Sequence, residues 1–139
     1  MSATEIVRIL DAPPERVWRA WTEPDELVRW WGKRGWTAQR DSLVLDVRPG
    51  GALRIVSVSD AGETMVNEGV WHEVSEFTRL AFGPPGGGAV SVVTFTDLGD
   101  GRTEMVFRTE RELTERAVAG FHSGLDRLAE ILNHVRSAP

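Results

Sequence analysis

The chain contains no cysteine, which excludes disulfides, thiol catalysis and thiolate metal sites. It also lacks any long apolar run. The longest, such as Leu43–Leu45 and Val92–Val93, fall far short of the roughly 20 residues of a membrane-spanning helix. Met1–Glu5 shows no basic segment followed by an apolar one, so no signal peptide is read and a cytoplasmic location is expected. A basic surplus is missing too: the formal net charge is −5, opposite in sign to the usual nucleic-acid footprint. One stretch departs locally, with Arg29, Lys33, Arg34 and Arg40 set among Trp30, Trp31 and Trp36. Such interleaving suits stacking on single strands. The reading adopted is a tryptophan-rich core segment with solvated charges between, and neither a nucleic-acid nor a membrane partner is expected.

Catalytic signatures are scarce. A serine-hydrolase elbow needs Gly-x-Ser-x-Gly on a strand-to-helix turn, whereas Ser123 beside Gly124 falls inside a predicted helix. The glycine-rich run Gly83–Gly88 lacks the Lys-Ser/Thr pair that reaches phosphate and magnesium, and it joins two strands. It reads as a hairpin loop. The histidines, His72, His122 and His134, are too scattered for metal-ligand spacing. No metal and no cofactor are expected.

What is present is ample for one domain. The 139 residues, 41% hydrophobic and 27% charged, match a globular unit spanning 1–139. Ile6–Leu10 reads as a strand, and Pro13-Pro14 opens a short helix to Trp21. Thr22-Glu23-Pro24-Asp25 starts a second short helix that carries Leu27, Trp30 and Trp31 and ends at Gly32. Six strands then follow: one from Leu43 to Val47, one through Leu53 and Val58, then Thr64–Val74, Leu80–Phe82, Val90–Thr96 and Thr103–Thr109. Val118, Phe121, Leu125, Leu128, Leu132 and Val135 recur at helical steps, with Glu115, Arg116, His122, Asp126, Arg127 and Glu130 opposite. This predicts an amphipathic helix of about six turns. A sheet must cover its apolar face, and Met105 with Phe107, Val93 with Phe95, and Leu80 with Phe82 supply that face. The long helix is the natural cover.

The order of these pieces resembles a known family. Ala12-Pro13-Pro14-Glu15-Arg16-Val17-Trp18, then Thr22-Glu23-Pro24-Asp25-Glu26-Leu27 and Trp30-Trp31-Gly32, are similar to the opening of the Hsp90 ATPase activator homologues of the START-like superfamily. Asp46-Val47-Arg48-Pro49-Gly50-Gly51, Gly69–Val74, Arg102–Met105 and Gly120-Phe121 before Leu125–Ala129 continue the likeness. Phenylalanine stands at 121 where the family carries tryptophan. The resemblance implies an α+β helix-grip fold in the order β-α-α-β6-α, a curved antiparallel sheet wrapped around a long C-terminal helix.

Within that fold the first functional reading is binding of a small hydrophobic or amphipathic ligand between sheet and helix. Phe95, Met105, Phe107, Phe121 and Leu125 would form the walls, with Trp30, Trp36 or Trp71 at the opening. Core packing is the competing role for every tryptophan. His72 lies mid-strand with Glu68 on its own face, so the pair would meet a ligand only if that face is concave. An empty apolar pocket of about 300 Å3 would cost on the order of 7 kcal/mol, which rivals the net stability of a domain. Such a space must therefore be hydrated, filled by side chains or occupied. The resemblance leaves two alternatives open. One is a polyketide cyclase- or hydrolase-like enzyme using His72 and Glu68, with Asn67 or Arg54. The other is a co-chaperone-like interaction domain, for which the eukaryotic activators carry a further N-terminal domain that 139 residues do not accommodate. A homodimer is also left open.

Overall fold

The computed structural model describes residues 4–137, with side chains from Thr4 to Leu132. Met1–Ala3, within the segment read for a signal peptide, and Ala138-Pro139 lie outside what is described, as do the side chains of His134 and Val135.

Strand β1 (Thr4–Leu10) is followed by α1 (Pro14–Thr22) and α2 (Pro24–Leu27), and then by β2 (Trp36–Ala38) and a single 3-10 turn. Strands β3 (Val44–Leu45), β4 (Ala52–Ser59), β5 (Thr64–Ser75), β6 (Arg79–Gly83), β7 (Ser91–Gly99) and β8 (Arg102–Thr109) lead to α3 (Glu115–Ser137). The sheet is antiparallel and curled, in the order β1-β8-β7-β6-β5-β4-β2, with β3 paired alongside β4. This is the α+β helix-grip architecture that the sequence implies.

Two local expectations about the strands need correction. Seven strands, not six, follow the short helices, because Trp36–Ala38 pairs with Ser57–Ser59. Three residues are too few for alternation to register in a sequence. The strand expected over Leu43–Val47 shrinks to Val44–Leu45, since the chain curls at once into a turn. There Asp46 donates to the Ala52 carbonyl and Gly51 to that of Arg48, at 2.9 and 2.8 Å. A Cβ at Gly51 would collide with the Asp46 carbonyl oxygen, so only glycine closes this turn.

Pro14 at the first position of α1 needs no backbone donor there, and Val17, Trp18, Ala20 and Trp21 form the buried face. The helix ends where Pro24 starts α2, which stops at Leu27 after one turn, short of the Gly32 expected from the sequence, and hydrogen bonds to the Leu27 carbonyl fold Trp30 and Trp31 inward. Trp21 meets Trp30 edge-on at 5.0 Å between centroids, and Trp18 meets Phe95 at 5.9 Å. The Trp30 indole N–H donates to the Ala20 carbonyl at 2.9 Å, so its one polar group is satisfied inside the core.

On the concave sheet face Met105 stands opposite Phe95, and Phe107 opposite Val93, all buried. Leu125, Leu128 and Leu132 of α3 join them in one cluster at 0%, 0% and 1% exposure. Burying each such side chain contributes about 1.5–3 kcal/mol. The helix is also tied at both flanks. From β1, Arg8 donates to Asp126 at 2.8 Å and lies 3.3 Å from His122 Nδ1. On the other flank, Arg127 donates to the carbonyls of Arg29, Trp31, Gly32 and Trp36 at 3.1–3.4 Å.

Candidate functional site

Between the first turns of α3 and the sheet lies a cleft of about 490 Å3. Its floor runs across the concave face along consecutive strands. Phe107 and Thr109 come from β8, Ser91 from β7 and Phe82 from β6. Asn67 and Met65 on β5, with Ser57 on β4, complete it. Ser91 pairs with Thr109 and Met65 with Ser57 in the sheet register, so the floor is a contiguous band. Its roof is Leu113, Ala117, Gly120, Phe121 and Gly124, and Trp30, Trp31 and Trp36 make the side wall.

The roof stands where it does because of small residues and backbone hydrogen bonds. A Cβ at Gly124 would come within 3.2 Å of the Trp30 carbonyl oxygen and 3.3 Å of that of Gly32, so the bare helix backbone is what lets this loop approach. Arg127 then holds the same loop by the four carbonyls named above. The backbone N–H of Arg34 donates to Ser123 Oγ at 3.0 Å, and its guanidinium reaches Glu130 at 2.6 Å. The tryptophan wall is thus fixed to the roof helix. On the inner side, Phe107 and Phe121 stack at 4.5 Å with planes 27° apart, which closes the cleft toward the leucine core.

The polar groups of the cleft have distinct surroundings. Ser91 Oγ donates to Thr109 Oγ1 at 3.0 Å, and the Trp31 indole reaches Asn67 Oδ1 at 3.4 Å. Ser57 is only 3% exposed, and its hydroxyl has no hydrogen-bond partner among the described residues. Leaving a buried hydroxyl unpaired costs about 1–3 kcal/mol. Lys33, Arg111 and Arg116 bring positive charge, and the Lys33 ammonium lies 5.8 Å from the Trp36 ring centre. Among the described residues no group of three or more His, Asp or Glu side chains is placed to hold a metal ion, and no helix is long and apolar enough to cross a membrane.

Of the residues read from the sequence as ligand contacts, the structure brings Trp30, Trp36, Phe107 and Phe121 to this cleft. Phe95, Met105 and Leu125 are sealed in the core, where they pack rather than line a space. Trp71 is also buried, edge-on to Phe82 at 5.5 Å, beside a void of about 10 Å3 that has room for at most one water. His72 does not reach the cleft. It is the extra residue of a bulge between Trp71 and Glu73, and it lies exposed with its ring against Gly83. Glu68 is exposed beside Arg54, 3.8 Å away, so the inward acid–base pair entertained above is not formed.

Sequence reasoning missed Ser57, Lys33, Gly120 and Gly124 as cleft residues, and named Asn67, which does line the cleft, only for the enzymatic alternative. It also set Arg127 on the solvent side of its helix. The hydrophobic stripe defines a helix face but carries no signal for a half-buried arginine whose partners are backbone carbonyls far away in sequence.

A family model described as activator of Hsp90 ATPase homolog 1-like protein matches residues 11–135. Protein CV1439 from Chromobacterium violaceum superposes with a TM-score of 0.85 at 25% identity, covering 95% of this chain and 98% of that one. The AHSA1 protein from Silicibacter pomeroyi gives 0.80 at 21% identity, with 95% and 98% coverage. A protein of unknown function from Staphylococcus aureus gives 0.73 at 24%, with 99% and 96% coverage. No curated protein gives a significant match. With most of its length matched by that model and its curled sheet closed over α3, the chain belongs to the activator of Hsp90 ATPase homolog 1-like family.

Proposed function

We propose that this protein binds a small hydrophobic or amphipathic molecule in the cleft beneath the first turns of α3. The observation that carries the reading is the cleft itself. Its volume of about 490 Å3 falls within the size range of small-molecule sites. Aromatic walls joined by a few fixed polar groups are the usual composition of such sites. The enzymatic alternative has less support. A hydrolase or cyclase working by proton transfer needs a titratable group within hydrogen-bond reach of its substrate. The described lining offers no carboxylate or imidazole, while Glu68 and His72 face away.

The test compares the wild type with Ala117→Trp, which places an indole into the cleft from the roof. Thermal-shift and calorimetric titrations against a panel of aliphatic and aromatic acids, alcohols and amines should give saturable one-site binding for the wild type. The variant should lose it while still unfolding cooperatively. A wild type that binds no member of the panel, or a variant that binds as well as the wild type, contradicts the reading.

A further inference from the structure

Resting on that reading, we propose that the occupant is an amphipathic anion. Its acidic head lies at the basic rim of the cleft, and its apolar body carries an oxygen function that reaches Ser57.

The charge distribution argues for the head. The chain carries 21 acidic against 16 basic residues, yet the cleft is lined by Lys33, Arg111 and Arg116 and by no carboxylate. Elsewhere arginines are spent on ion pairs: Arg8, Arg34, Arg40, Arg48 and Arg79 each sit within 3 Å of a carboxylate oxygen. None of the three cleft cations has such a partner among the described residues. Glu112 and Glu115 are neighbours along the chain but do not line the cleft. Thr114 and Arg116 place the start of α3 at the same rim, and the positive end of a 23-residue helix favours an anion there. Arg111 and Arg116 are exposed and Lys33 is half-buried, so the charge sits at the entrance and not in the interior.

The second, independent observation is the hydroxyl of Ser57, a residue of the cleft floor, which is buried and without a partner among the described residues. It can donate to a ligand oxygen, and so recover the hydrogen bond that the protein alone does not supply. The lining also carries Phe82, Phe107, Phe121 and the tryptophan wall, which suit an apolar body.

Calorimetric titration of the full chain with decanoate, decanol and decyltrimethylammonium separates head charge from apolar fit, since the chains are equal in length. Decanoate is expected to bind roughly tenfold more tightly than decanol, as screened rim ion pairs allow, with the advantage shrinking as salt is added. Decyltrimethylammonium should be the weakest. The double substitution Lys33→Gln and Arg116→Gln, both outside the core, should erase the advantage of decanoate over decanol. ω-Hydroxydecanoate should bind more tightly than decanoate to the wild type and lose that gain in Ser57→Ala. A short-chain phosphatidate beside decanoate tells a phospholipid head from a free acid, and preferential binding of either supports the anion. If decanol matches decanoate and the double variant changes neither, the anion inference fails while cleft binding stands. If none of the probes binds, both fail.

Discussion

The two ends of the interface between α3 and the sheet differ in kind. At one end Leu125, Leu128 and Leu132 are sealed against the sheet in the same cluster as Met105 and Phe95. At the other, Leu113, Val118 and Phe121 are only half-buried, and Ala117, Gly120 and Gly124 leave space over a floor of Ser57, Asn67, Ser91 and Thr109. One helix stripe therefore does two jobs. Large side chains over an apolar floor make a core, and small ones over a partly polar floor make a cleft. The Phe107–Phe121 stack marks the boundary.

Substitutions at the two ends should separate sharply in stability. Leu128→Ala leaves a cavity in close-packed surroundings and should cost about 2–5 kcal/mol in urea unfolding. Leu113→Ala should cost under about 1 kcal/mol, since less area is lost from burial. Equal costs would erase the distinction between core and cleft.

Arg127 sharpens the comparison because it joins the roof to the tryptophan wall. Arg127→Met should cost about 1–3 kcal/mol by leaving carbonyls unpaired, and should also weaken ligand binding. Arg127→Lys should not restore either, because a single ammonium does not reproduce the fork that serves four carbonyls. Full rescue by lysine would reduce the residue to its charge.

The two roof glycines should respond with opposite signs. At Gly120 the nearest atom to an added Cβ is 3.8 Å away, on Lys33, so Gly120→Ala should raise stability by up to about 1 kcal/mol through helix propensity. Gly124→Ala gains the same propensity but presses on backbone oxygens at 3.2 and 3.3 Å, and should be net destabilising. Thermal unfolding of the pair reads the sign directly. If both stabilise, the close approach of loop and helix is looser than described.

The smallest effect concerns a group that does not line the cleft. Hydrogen bonds from Ser75 Oγ and Arg79 Nε hold the Glu73 carboxyl below the usual carboxylate range. A depressed folded-state value stabilises above the ordinary range and loses that contribution as pH falls through it. The stability difference between wild type and Glu73→Gln should therefore shrink toward zero in acid, with ligand binding unaffected.

The distinction between the ends was only partly legible in the sequence. Helical spacing from Val118 to Leu132 places the stripe, and alternation places Met105 and Phe107 on the inner face, because both patterns repeat over many residues. Strand β5 defeats alternation. The bulge at His72 reverses parity, so Val66 and Val70 face out while Val74, paired with Leu80, faces in. Ser57 and Gly124 matter through neighbours distant in sequence, and no local pattern records those.

The six tryptophans offer the most direct test, since each contributes one indole N–H to a heteronuclear NMR spectrum. During titration with decanoate, the signals of Trp31 and Trp36 at the cleft wall should move, while those of Trp18 and Trp71 in the sealed core stay still. Movement confined to the core indoles, or none at saturating ligand, would contradict a binding cleft at the open end of the helix.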